Sequence, residues 1–215
     1  MRKIKKMVWR FLIFIKIGGV VQLFLKSGLR DDGWFKSFNT KTSIDANGNP
    51  IPWCTYSFIK FIEPRLKKDF NIFEYGSGNS TLWYAKRVKY VKSVEHDKNW
   101  FNNLYNSYPS NVKAVYIPVG NNDEYANEIK NDLIKYHIVV IDGIDRNNCA
   151  TALMDCLTDD GVIIYDNTQL SEYKSSIEFI LQSGFKKIDF EGILPIVSHN
   201  NVTTIFYRGN NCLNI

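Results

Sequence analysis

From residue 70 onward, short apolar runs alternate with amphipathic stretches, and this alternation restricts the fold more than any other feature of the chain. Asn71–Tyr75 (NIFEY), Tyr90–Glu95 (YVKSVE), Val112–Ile117 (VKAVYI), Ile138–Asp142 (IVVID) and Val162–Asp166 (VIIYD) have the length and apolar character of strands. The stretches Ser80–Lys89, Lys98–Ser107, Asp123–Ile134 and Asn147–Leu157 between them read as helices. Such alternation builds parallel βαβ units with helices on both faces of one sheet. A further helix, Ser171–Gln182, precedes Lys186–Phe190 (KKIDF) and Thr203–Tyr207 (TTIFY). The connection between these last two strands, EGILPIVSHNNV, has no helical pattern, so they are expected to pair as an antiparallel hairpin at the sheet edge. The predicted class is α/β: a seven-stranded, mostly parallel sheet with that hairpin.

A chain of 215 residues, 45% hydrophobic and 23% charged, holds one domain and perhaps an appendage, without need of disulfide or metal staples. The composition excludes collagen, low-complexity disorder and a polytopic membrane protein. The net charge of +5 first points to nucleic acid, but its location does not. Residues 1–26 hold seven bases and no acid, leaving twenty bases against twenty-two acids elsewhere. The body has no basic stripe, so no nucleic-acid partner is expected. Cys54, Cys149, Cys156 and Cys212 form neither a CxxC pair nor a zinc spacing, and they read as buried thiols of a cytoplasmic protein.

Residues 1–26 form a basic amphipathic segment, expected as one helix. On a wheel of 100° per residue, the six bases from Arg2 to Lys16 share one arc, opposite Ile4, Met7, Val8, Phe11, Leu12, Phe14 and Ile15. Arg10 and Lys16 interrupt the apolar run, and no small-residue cleavage site follows, so neither a spanning helix nor a signal peptide fits. A helix of this kind lies in an anionic membrane surface, covers one side of the core, or forms an oligomer interface. The first of these would place the protein at the inner face of the membrane. Residues 27–69, rich in Trp, Phe and Pro, are expected to cover the substrate pocket, and residues 70–215 to form the ligand-binding domain.

Ligands of open α/β sheets sit beyond the carboxyl ends of the strands. The first strand ends in Glu74, Tyr75, Gly76, Ser77, Gly78, Asn79, Ser80 and Thr81. Two glycines allow a tight turn that brings backbone N–H groups towards a ligand at the start of the next helix. Thr81 stands at the third glycine position of the dinucleotide pattern, which argues against a pyrophosphate cofactor. The second strand ends at Glu95, about 20 residues on, where an acid binds ribose hydroxyls. Glu74 would repel phosphate and suit a cation. Ribose with positive charge and no pyrophosphate describes S-adenosylmethionine.

EYGSGNST, VEHD and the edge hairpin together resemble a class I S-adenosylmethionine-dependent methyltransferase over residues 70–207, with its Rossmann-like fold. That resemblance implies that Glu74, Gly76, Ser77, Gly78, Asn79 and Ser80 hold the methionine part of the cofactor. It also implies that Glu95 holds the ribose, that His96 stacks near adenine and that Asp142 completes the cofactor site. PIPWCTYSFIKFIE, DFEGILP and TTIFYRGNNCL are similar to segments of methyltransferases encoded in bacterial surface-polysaccharide clusters.

Two further strand ends, IDGID and GVIIYDNT, bring Asp142, Asp145, Asp166 and Asn167 to one crevice. Carboxylate and amide oxygens suit Mg²⁺ or a similar divalent cation. The pattern is similar to catechol and caffeoyl-CoA O-methyltransferases, which implies Asp142, Asp166 and Asn167 as metal ligands. Such a metal would lower the pKa of a substrate hydroxyl. The lysine that those enzymes carry three residues after the first aspartate is Asp145 here, followed by Arg146. Asp142 and Asp145 are therefore the catalytic candidates, each a weak base unless burial or a neighbouring acid raises its pKa. The same acids also serve metal-free sites, helix caps and turns.

Arg146 is suited to a carboxylate or phosphate on the acceptor, and Trp34, Trp53 and Tyr56 to the wall of its pocket. His199 is expected in a solvated loop. The leading expectation is O-methylation of a small-molecule or sugar hydroxyl. The alternatives are N-methylation of a small amine or amino sugar, and a non-catalytic binding or scaffold module that keeps the cofactor fold. A nicotinamide oxidoreductase is disfavoured by Thr81 and by the missing second mononucleotide half.

Overall fold

The computed structural model describes residues 2–118, 120 and 123–215. Seven strands form one sheet: β1 (Asn71–Tyr75), β2 (Tyr90–Glu95), β3 (Val112–Tyr116), β4 (Tyr136–Ile141), β5 (Leu157–Asp166), β6 (Lys186–Ile193) and β7 (Asn200–Tyr207). Their order is β3-β2-β1-β4-β5-β7-β6. The first five run parallel; β7 is antiparallel to both β5 and β6. The expected hairpin is present, with its second strand on the inside.

Helices cover both faces. They are α1 (Arg2–Phe14), α2 (Gly18–Leu25), α3 (Gly28–Asp31), α4 (Trp34–Thr40), α5 (Tyr56–Ile62), α6 (Asn79–Ala85), α7 (Lys98–Tyr105), α8 (Glu124–Asn127), α9 (Arg146–Ala152) and α10 (Lys174–Gln182). Successive strand residues alternate between two cores. Ile72, Ile138, Val140 and Ile164 pack with Phe58, Ile62 and Tyr84 on one face. Phe73, Tyr75, Val139 and Ile163 pack with Cys149, Leu153 and Ile180 on the other. Because both faces are covered, the strands read as near-continuous apolar runs. Lys92 of β2 interrupts that pattern in mid-strand. It is fully buried and held by Glu128 Oε1 at 2.8 Å and Asp132 Oδ1 at 3.2 Å.

The N-terminal segment is two helices rather than one. Lys16 takes a left-handed φ of 61°, and Gly18 packs so tightly that a Cβ there would stand 3.3 Å from the Ile13 nitrogen. The chain therefore folds back after Phe14. No described helix is long and apolar enough to cross a membrane.

Candidate functional site

Register places the chemistry. Tyr75 aligns with Val94 on one side and with Ile141 on the other, and Ile141 aligns with Tyr165. The next residues, Gly76, Glu95, Asp142 and Asp166, therefore stand in one row at the carboxyl edge of the sheet. They open onto a crevice of about 610 Å³, which is also lined by Trp53, Glu74, Ser77, Ser80, His96, Trp100, Gly143, Ile144, Arg146, Asn167, Leu194, Val197, His199 and Asn201. Such a volume suits a cofactor-sized ligand.

The Gly-rich turn closes because two backbones touch. Gly76 has φ +97°, and a Cβ on it would stand 3.2 Å from the Gly143 nitrogen. A Cβ on Gly143 would collide with the Tyr125 hydroxyl and come 2.9 Å from the Gly76 nitrogen. Side chains at either position would fill the cradle where β1 and β4 end. Thr81 Oγ1 accepts from the Gly78 N–H at 3.0 Å and donates to Glu74 Oε2 at 2.5 Å. Gly78 and Asn79 do not line the crevice; Asn79 Nδ2 donates instead to the Ser43 carbonyl at 2.7 Å. Trp100 Nε1 donates to the Ser77 carbonyl at 2.7 Å and so roofs the turn.

Glu95 is saturated by its own surroundings. Its Oε2 accepts from Ser77 N at 3.1 Å and Ser77 Oγ at 2.9 Å. Its Oε1 accepts from His96 N at 2.8 Å and Asp97 N at 2.9 Å. A carboxylate offers about four lone-pair sites, and four donors already use them. His96 lines the crevice beside it.

Glu74 is buried, and loss of hydration pushes its carboxyl up to about 7; hydrogen bonds from Ser80 and Thr81 oppose that shift, and Glu95 adds to it. Asp142 and Asp166 are raised as well, chiefly by burial; for Asp142 the negative Asp166 adds to the rise while Arg146 opposes it. Arg146 is the cation among them. Its Nε donates to the Gly143 carbonyl at 2.8 Å and its Nη1 to the Asp166 carbonyl at 2.5 Å and Asn167 Oδ1 at 2.9 Å. Its Nη2 donates to the Asp142 carbonyl at 3.0 Å and to Asp142 Oδ1 at 3.3 Å. The Asp166 carboxylate faces away from it, accepting from Thr203 Oγ1 at 2.5 Å and Asn201 Nδ2 at 3.2 Å.

This geometry corrects several expectations. Asp142, Asp166 and Asn167 do not converge on a divalent cation. The oxygens of Asp142 and Asn167 face the Arg146 guanidinium, and the Asp166 carboxylate is engaged by β7. The residues present do not fit a metal. Arg146, buried and with all three guanidinium nitrogens engaged by the protein, is not presented as an acceptor's anion partner. Asp145 lies outside the crevice. It is exposed, has a left-handed φ of 52°, and takes its hydrogen bond from Asn148 Nδ2 at 3.0 Å. Tyr56 begins α5, packs in the core and borders a different cavity with Asp31, Asp32 and Lys60. Trp34 does not line the crevice but donates from Nε1 to the Val197 carbonyl at 2.7 Å. Trp53 and His199 do line it.

Gly143, Trp100, Asn201 and Thr203 were not singled out from sequence. Only Gly143, inside the IDGID run, carried a local signal.

The architecture is that of the Rossmann-like methyltransferase fold. No family model matches the chain, and no curated protein does. Among solved structures, precorrin-6y C5,15-methyltransferase from Geobacter metallireducens is similar at TM-score 0.57 and 17% identity, over 71% of this chain and 87% of that one. An rRNA methylase from Streptococcus thermophilus is similar at TM-score 0.53 and 12% identity, over 69% and 93%. A Streptococcus mutans protein in complex with SAH is similar at TM-score 0.51 and 12% identity, over 69% and 94%. At these identities the likeness is one of fold.

Proposed function

We propose that this chain is an S-adenosylmethionine-dependent methyltransferase whose acceptor is a hydroxyl of a small molecule or sugar, in the setting of surface-polysaccharide biosynthesis. The observation that carries the reading is the pairing of an acid-lined crevice (Glu74, Asp142 and Asp166 against Arg146) with the close Gly76–Gly143 turn and Glu95 across from it. A cationic ligand gains from these acids, and a pyrophosphate would be repelled. S-adenosylmethionine, when bound, supplies a methyl group already activated by a sulfonium.

Glu74, Gly76, Ser77 and Ser80 would hold its amino-acid end, and Glu95 and His96 its nucleoside end. Trp53 and His199 face the acceptor side. The chain's main contribution is then placement, which in ideal cases lowers a barrier by roughly 7 kcal/mol or more. Asp142 accepts the hydroxyl proton. Burial and Asp166 raise its pKa, which makes it a stronger base than an exposed aspartate.

The second reading, N-methylation of a small amine, is favoured by Arg146. A guanidinium where a divalent cation was expected leaves no Lewis acid for a reluctant hydroxyl, and a free amine needs none. Calorimetric titration with S-adenosylhomocysteine, with NADH as control, tests the common part of both readings. Binding of the first alone is expected, unchanged by Mg²⁺ or EDTA; no binding to folded protein would remove both readings and leave the scaffold module. An acceptor screen with hydroxyl and amine sugars then separates the two.

A further inference from the structure

The α1–α2 arm displays apolar side chains that the rest of the fold leaves uncovered. Met7 is 67% exposed, Phe11 60%, Phe14 81% and Val20 67%. Groups of this size are normally buried, and a contiguous exposed set marks an interaction surface. Charge identifies the occupant: the chain has no acid before Asp31 and eight bases, among them Lys5, Lys6 and Arg10 around Trp9. A surface that joins bare apolar groups, an interfacial tryptophan and unopposed positive charge complements an anionic lipid bilayer. A second copy of the arm would bring like charges together.

The arm is also wired to the crevice. Phe24 of α2 meets Phe35 edge-on at 5.3 Å, and Phe35 meets Trp34 at 5.0 Å. Trp34 Nε1 then holds the Val197 carbonyl at 2.7 Å, and Val197 lines the crevice with Leu194 and His199.

We infer that the α1–α2 arm is a peripheral membrane anchor that lies in an anionic lipid surface and holds the crevice mouth beside it. The inference stands on the arm and not on the cofactor reading. Its test is co-sedimentation of the full chain with vesicles of phosphatidylcholine alone or with about one-third phosphatidylserine. Binding is expected to the anionic vesicles only, to weaken with salt, and to fall roughly fivefold for each base neutralised. Lys5→Gln/Lys6→Gln/Arg10→Gln should therefore lose on the order of a hundredfold. Phe11→Gln, which leaves the charge intact, should also weaken binding. Equal partition to both vesicle types, no binding to either, or vesicle-free self-association abolished by Phe11→Gln would each overturn the inference, the last in favour of a second copy. Unchanged thermal unfolding of the variants separates lost binding from lost fold.

Discussion

The strand-end crevice and the N-terminal arm are both made where apolar sequence meets charge, yet they resolve that meeting in opposite ways. In the crevice the apolar residues are consumed by two cores and the charges are held by partners within the fold, with Glu74, Asp142 and Asp166 raised in pKa. In the arm the apolar residues stand in solvent and no ion pair engages the described bases of α1. The difference teaches where each region's energy resides. The crevice is stabilised within the molecule, so changes there cost folding free energy; the arm has little to lose on its own.

The sharpest break of that contrast is Arg146→Met. It leaves Asp142 without its counter-ion and three backbone carbonyls without their donor, and should cost about 3 kcal/mol in urea unfolding. A cost within the range of surface substitutions would mean that the two regions do not differ as described.

A middle-sized effect concerns pH. The Glu74 carboxyl titrates near 7 in the fold and near its ordinary value in the unfolded chain. The stability it contributes is therefore present below about 4.5 and lost as pH rises through about 7. Asp142 and Asp166 act in the same direction. The ligand-free protein should melt at progressively lower temperature over that window, and Glu74→Gln should flatten the slope; an unaltered slope would refute the assignment. The smallest effect is Phe14→Gln in the arm, which should leave stability within about 0.5 kcal/mol.

Much of the sheet was legible in advance because both faces of its central strands are covered, so β1, β4 and the second half of β5 announce themselves as apolar runs. The ends were less so. β5 begins at Leu157 rather than Val162, since Leu157 pairs with Tyr136 ahead of an irregularity in the β4–β5 register. The expected helix Asp123–Ile134 is one turn of α-helix followed by a 3-10 turn at Glu128–Asn131. α3, α4 and α5 were hidden in residues 27–69, where short helices lack enough turns to show a period.

At the site, sequence located which residues stand at strand ends but not where their side chains turn. Asp145 and Arg146 are neighbours, and the left-handed backbone at Asp145 sends one outward while the other enters the acid cluster. Nothing in the order of residue types encodes that exchange of roles, nor the way α5 carries Tyr56 into the core while Trp53, three residues earlier, stays at the crevice.

The saturation of Glu95 bears on how tightly anything can be held there. A diol brought to this carboxylate takes over hydrogen bonds that Ser77 already makes, so the transaction is a substitution of one donor for another. Its net yield is the difference between two similar hydrogen bonds to a carboxylate, each contributing roughly 1.5–3 kcal/mol. A pocket arranged in this way would recognise shape and hydroxyl placement more than it would grip, because Ser77 stands ready to satisfy the same acid.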